Sequence, residues 1–262
     1  MAVLPWILRP LKQTMWTRLA LLAAVAVPRL LHSLSGAGQP ALAIPPSKLK
    51  GSKVSLRESA RRIRSSLLSR DDVEVSKFIS GAEEFVRSVE RFGDFTRSGV
   101  DDARKNLRRV DAGRGGLSSM RAMLMNEVRR GSRRPEGGPA RSSPAEALLW
   151  SRLSLKLWVE IFKDHLRARS KQSLQDATRN GFQRSLARYL DRFGRAAFNV
   201  ASRQTPDWDE VRQRTHLGCD NGVCSDEQLT GELKTFVEQV EPVLDRMTTL
   251  QKSVGLEDPR TP

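Results

Sequence analysis

The sequence predicts an all-α fold, on three observations. Beyond residue 71, apolar residues recur at three- and four-residue steps over most of the chain, the spacing that gathers them on one face of a helix. Several of these segments open on a helix-start signature, the fullest being Ser143-Pro144-Ala145-Glu146. Runs of β-branched residues are few, so little competes as strand. With 262 residues, 39% of them hydrophobic, the chain has material for one substantial core.

The formal net charge of +15 is spread unevenly. Residues 1–57 hold eight Lys or Arg and no acid, whereas residues 207–262 hold twelve acids against six bases. Arg9, Lys12 and Arg18 precede an apolar run from Leu19 to Val27, and Ala41-Leu42-Ala43 has the small-x-small form of a cleavage site. Residues 1–43 are therefore expected to be a targeting or signal segment, secretory or organellar, with a cytoplasmic protein as the alternative. As a transmembrane span the run is about half of the roughly 20 residues needed. Residues 44–71 read as a linker and a short basic helix.

From Asp72 onward, Phe78, Phe85, Val89 and Phe92 form an aromatic row expected in the core. Next comes GVDDARKNLRR, residues 99–109. At about 100° per residue, Asp102, Asn106 and Arg109 fall within roughly 60° of one another, an acceptor, an amide and a cation on one stripe. Asp101 falls off that stripe and reads as a first-turn acid favoured by the helix dipole. Ser118-Ser119 starts a Met-rich helix running to Arg130, and GSRRPEGGPARSS, residues 131–143, reads as a loop. That loop is expected to be a solvated connector, with anionic headgroups or nucleic acid as the alternative use of its arginines.

The Ser143 cap opens the central helix. Leu149, Leu153, Leu157 and Ile161 mark one face, and Leu155, Trp158, Val159 and Phe162 much of the other, so the helix must be surrounded. A further helix is expected from Leu174 through Phe182, Leu186, Tyr189, Leu190, Phe193 and Phe198 until Pro206 halts it. The last helix starts at Ser225, carries Leu229, Leu233, Phe236, Val240, Leu244 and Met247, and is expected to kink at Pro242.

Enzyme chemistry has little to stand on. The sequence has no P-loop, no Gly-x-Ser-x-Gly and no His-Glu-x-x-His, and His32, His165 and His216 are scattered and read as surface residues rather than catalysts. Cys219 and Cys224 flank the turn sequence Asp220-Asn221-Gly222 and read as a small disulfide loop or two free thiols. A metal half-site would gain only His216 as a third ligand, so no metal and no cofactor is expected. The basic residues are not interleaved with exposed aromatics and the terminal helix is acidic, so no nucleic acid is expected.

The order of these features resembles the glycolipid transfer protein family. The resemblance covers residues 72–254: an aromatic helix, then Asp-x-x-x-Asn-x-x-Lys/Arg as Asp102, Asn106 and Arg109, then the ALLW helix, then the RYL segment, then an acid-led terminal helix. It leaves residues 255–262 as a tail. It implies an all-helical, two-layer fold around a hydrophobic pocket for sphingolipid chains. It also implies that Asp102, Asn106 and Arg109 hydrogen-bond the headgroup and that Trp150 stacks under a sugar. Taken alone, Trp150 reads as core packing. The terminal segment from Gln239 to Pro259 looks more like the ceramide-phosphate branch than the glycolipid branch.

Two positions depart from the family pattern. Leu190 stands where the family has the histidine that binds the ceramide amide, and leucine neither donates nor accepts. Arg192, with Phe193 beside it, stands where the family has a membrane-docking tryptophan. An Arg-Phe pair suits an anionic surface, or equally a solvated face. The implied function is non-enzymatic transfer or sensing of a sphingolipid, of the glycosylceramide or ceramide phosphate type, or of another two-chain lipid, by a monomer working at membrane surfaces. The alternative, favoured by Leu190, is a helical interaction protein that keeps the fold and has lost lipid transfer. Chemistry supports the first: a two-chain lipid leaving a bilayer forfeits about 0.8 kcal/mol per exposed methylene, which only an apolar interior replaces.

Overall fold

The computed structural model of the chain describes residues 55–68, 71–168, 172–220 and 223–259. The leader expected over residues 1–43 lies outside the described residues. Nine α-helices occur among the described residues: α1 (Leu56–Arg64), α2 (Val75–Glu90), α3 (Arg97–Gly113), α4 (Met120–Arg129), α5 (Pro144–Arg167), α6 (Leu174–Ser185), α7 (Arg192–Ser202), α8 (Trp208–Thr215) and α9 (Asp226–Ser253). Single 3-10 turns stand at Asp94–Thr96 and Ala187–Tyr189. Two short antiparallel pairs also occur among the described residues: β1 (Leu67–Leu68) with β2 (Asp72–Val73), and β3 (Cys219–Asp220) with β4 (Val223–Cys224).

Apolar spacing sets the packing. α1 is capped by Ser55, whose hydroxyl accepts from Glu58 N at 3.3 Å, and buries Leu56, Ala60 and Ile63, one stripe at four- and three-residue steps. Its close approach to α2 depends on Gly81, where a Cβ would lie 2.6 Å from Ile63 N. α1 packs on α2 and α9, α2 on α3, α3 on α5, and α5 on α9, so five helices close a ring around the core. The expected aromatic row of α2 faces inward: Phe78 and Phe92 are fully buried, and the Phe85 ring centre lies 4.5 Å from that of Phe236 in α9. Each such side chain stabilises the fold by about 1.5–3 kcal/mol relative to exposure.

α5 is surrounded, as its sequence requires. Leu155, Val159 and Phe162 enter the main core, while Leu149 and Leu153 join a second cluster with Phe182, Leu186, Tyr189 and Leu190. Ser143 Oγ accepts from Glu146 N at 3.0 Å. The Glu146 carboxylate accepts from Ser142 N, one residue short of the capping box, because Ser143 N is already given to Ala140 O at 3.2 Å.

Other expectations are corrected. The single helix expected from Leu174 until Pro206 is broken: Leu190 is extended at φ −105°, ψ 144°, and Asp191 starts α7 by accepting from Gly194 N at 2.8 Å. An aspartate that can cap outweighs the continuing apolar period there. α8 was not anticipated, since it buries only Trp208, Val211 and Thr215 over eight residues. α3 starts at Arg97, so Asp101 stands exposed one turn inside the helix instead of in its first turn. His165 is buried, 2% exposed, with its ring centre 4.6 Å from that of Trp208. Two arginines of the 131–143 loop bind the C-terminal segment: Arg133 donates to Val254 O, and Arg134 pairs with Asp258 at 3.4 Å. Pro242 lies inside α9, as expected. Of the two readings of the cysteines the disulfide is the one found, joining Cys219 to Cys224 across the β3–β4 pair.

Candidate functional site

A cavity of about 420 Å³ lies between α2, α3, α5, α6 and α7. Phe85 and Val89 of α2, Val100 and Leu107 of α3, and Trp158 and Ile161 of α5 are among the apolar residues that form its walls. Phe198 of α7 also lines it, held by a parallel stack on Phe182 with 3.8 Å between ring centres.

Asp102 and Trp150 both stand in the wall of this cavity, each partly exposed. Asp102 is presented by α3, one turn before Asn106, whose Nδ2 donates to Asp102 Oδ2 at 3.1 Å. Asn106 itself is 1% exposed, so its amide is fixed by its surroundings and in turn fixes the carboxylate. Burial is the main influence on Asp102 and pushes its pKa up from 3.8 to about 6. The Lys105 ammonium, the Asn106 hydrogen bond and the Arg109 guanidinium all oppose that rise, in that order.

Trp150 comes from the second turn of α5, where its ring meets Tyr189 edge-on at 6.4 Å. The arrangement therefore offers a flat aromatic face and a carboxylate with unused acceptor positions beside an apolar interior. Such a site can accept from the hydroxyls of a polar headgroup while alkyl chains replace water inside.

The remaining positions singled out from the sequence lie elsewhere. Arg109 acts on Asp102 through its charge and is not in the cavity wall. Leu190 is 5% exposed within the second apolar cluster and also outside the wall. Arg192 stacks over the Phe193 ring at 4.8 Å, and Phe193 is 55% exposed. Further along the same helix Val200 is exposed as well. Sequence reasoning missed Lys105, three residues after Asp102 and the stronger of the two cations acting on it. It also missed Thr178 in the wall, whose helix-interior position gives no sequence signal. Among the described residues, no group of three or more His, Cys, Asp or Glu is placed to hold a metal ion. No described helix is long and apolar enough to cross a membrane.

An all-helical fold enclosing an apolar cavity with a polar and aromatic edge defines a class of lipid-binding domain, and the family model for glycolipid transfer protein (GLTP) matches residues 73–216. That is more than half of the chain, and the chain belongs to the GLTP family. Human ceramide-1-phosphate transfer protein, solved in complex with 12:0 ceramide-1-phosphate, is similar at 20% identity, with 78% of this chain and 99% of that chain covered and a TM-score of 0.67. An Arabidopsis ACD11 variant complexed with C12 ceramide-1-phosphate is similar at 13% identity, 79% and 98% coverage and a TM-score of 0.67. HET-C2, a fungal glycolipid transfer protein, is similar at 13% identity, 76% and 97% coverage and a TM-score of 0.61. At these identities the similarity concerns the fold. Curated proteins give no significant sequence match.

Proposed function

We propose that this chain is a non-enzymatic carrier or sensor that moves a sphingolipid between membranes. The observation that carries the reading is Asp102, bonded to Asn106 and sharing the wall of one apolar cavity with Trp150. Alkyl chains enter the cavity, and the headgroup is held by Asp102, Asn106 and Arg109 with Trp150 as a platform. A hydrogen bond to an ionised carboxylate or guanidinium is worth about 1.5–3 kcal/mol, enough for two or three of them to orient a headgroup. Family relatives solved with ceramide-1-phosphate support the lipid class, and Trp150, as a flat platform, suits a sugar headgroup as the other member of that class. Arg192, Phe193 and Val200 are the proposed membrane contact, an exposed apolar and cationic face on α7, which also contributes Phe198 to the cavity.

A second reading rests on Leu190. Its burial among Leu149, Leu153 and Phe182 leaves no amide partner at that position, which favours a helical interaction protein that has kept the fold and lost transfer. Vesicle-to-vesicle transfer of labelled glucosylceramide and ceramide phosphate by the full chain separates the two. Transfer of either supports the carrier; no transfer, and no lipid co-purifying, supports the interaction protein.

A further inference from the structure

We propose that the Thr178 hydroxyl recognises an oxygen carried partway along a hydrocarbon chain of the bound lipid, an inference that rests on the carrier reading. Thr178 lines the cavity at 6% exposure, and its Oγ1 is buried without a hydrogen-bond partner. The other buried hydroxyls of the wall are engaged, Ser151 Oγ donating to Ala147 O at 2.9 Å and Thr96 Oγ1 to Gly93 O at 2.8 Å. A threonine inside a helix usually satisfies its hydroxyl on the carbonyl four residues back, as Thr215 and Thr248 do in this protein. Thr178 does not, and a plain methylene chain beside it would leave it unpaired.

Its depth identifies the part of the lipid it meets. α5 and α6 run antiparallel: Tyr189 meets Trp150, Asn180 Nδ2 donates to Asp164 Oδ2 at 2.8 Å, and a Cβ on Gly181 would lie 2.8 Å from Ile161 Cγ1. Thr178 therefore lies level with Ile161 or beyond it, roughly 16 Å along α5 from Trp150 at 1.5 Å per residue. A sphingolipid amide stands only a few bonds from the headgroup, so the group that reaches Thr178 belongs to a chain. A hydroxyl both donates and accepts, so a mid-chain hydroxyl or keto oxygen satisfies it.

The test is transfer by the full chain of glucosylceramides and ceramide phosphates, each bearing a plain, a 2-hydroxy or a 12-hydroxy stearoyl chain, from phosphatidylcholine vesicles. The 12-hydroxy lipid is expected to be preferred over the plain one on the order of tenfold, the worth of one hydrogen bond. Thr178→Val removes that preference, Thr178→Ser keeps it, and neither alters the ratio of 2-hydroxy to plain lipid. Plain lipid transferred with no 12-hydroxy preference, or a preference that survives Thr178→Val, overturns the chain inference and leaves the carrier reading in place. Failure to move any of these lipids overturns both.

Discussion

Asn106 Nδ2 donates to Asp102 Oδ2 across 3.1 Å, one helical turn apart on α3, and fixes a carboxylate at the wall of an apolar cavity. Burial disfavours the charge on Asp102, while Asn106, Lys105 and Arg109 favour it. A partly desolvated carboxylate with spare acceptor positions is costly to the empty protein and useful to one that binds hydroxyl donors.

The pH dependence follows. The Asp102 pKa is raised in the fold, from 3.8 to about 6, so the folded state holds this proton more tightly than the unfolded chain. This contribution to stability is full below pH 4 and is lost as pH rises to about 6, for a cost on the order of 3 kcal/mol above that. Headgroup hydroxyls donate to the ionised form, so lipid affinity runs the other way and rises through about pH 6. Titrating glucosylceramide binding between pH 5 and 7.5 checks this, and Asp102→Asn is expected to flatten both profiles.

His165 has the opposite sign. Burial, then the Arg212 charge, lowers its pKa, Asp226 opposes this, and neither ring nitrogen has a partner. Stability from the neutral ring is therefore full above the ordinary value of 6.5 and declines as pH falls below it. His165→Phe is expected to reduce the fall in Tm between pH 7 and pH 5, read by thermal denaturation.

Arg152 and Glu257 tie the C-terminal segment to α5. Arg152 Nη2 reaches both Glu257 oxygens at 2.7 Å, Nε donates to Gln251 at 2.9 Å and Nη1 to Thr248 at 2.6 Å, with both charged side chains under 10% exposed. Glu257→Gln leaves a buried guanidinium short of its counter-charge and is expected to cost about 3–5 kcal/mol. Adding Arg152→Met recovers most of that loss, because the uncompensated charge is then gone. Urea unfolding of the single and double variants measures both effects.

Phe193 contributes little to the core, so Phe193→Ser is expected to change the free energy of unfolding by no more than about 1 kcal/mol. Its loss from a membrane contact is expected to weaken binding to anionic vesicles roughly tenfold. Sedimentation with vesicles of mixed phosphatidylserine and phosphatidylcholine checks it.

Much of this architecture is legible in the residues. The aromatic row of α2, the stripe of α9 and the two-faced α5 follow from spacing alone, because each satisfies its period over several turns. The break at Leu190 was hidden because apolar residues continue on both sides of it, and only Asp191, as a cap, marks it. The burial of His165 and the turn of Arg133 and Arg134 onto residues 254–258 depend on segments far apart in the chain, which local pattern cannot reveal. Asp102 and Asn106 were legible as a helical stripe, whereas Thr178 enters the cavity wall only through the packing of α6 on α5.

The most direct measurement compares wild type with Asp102→Val in vesicle-to-vesicle transfer of glucosylceramide and ceramide phosphate, alongside thermal unfolding of each. Valine removes the acceptor and the burial cost together, so the variant is expected to lose transfer by on the order of a hundredfold while its Tm at neutral pH stays level or rises. Transfer retained at the wild-type rate by a folded Asp102→Val protein would contradict the headgroup site at Asp102, and absence of transfer by wild type itself would contradict the carrier.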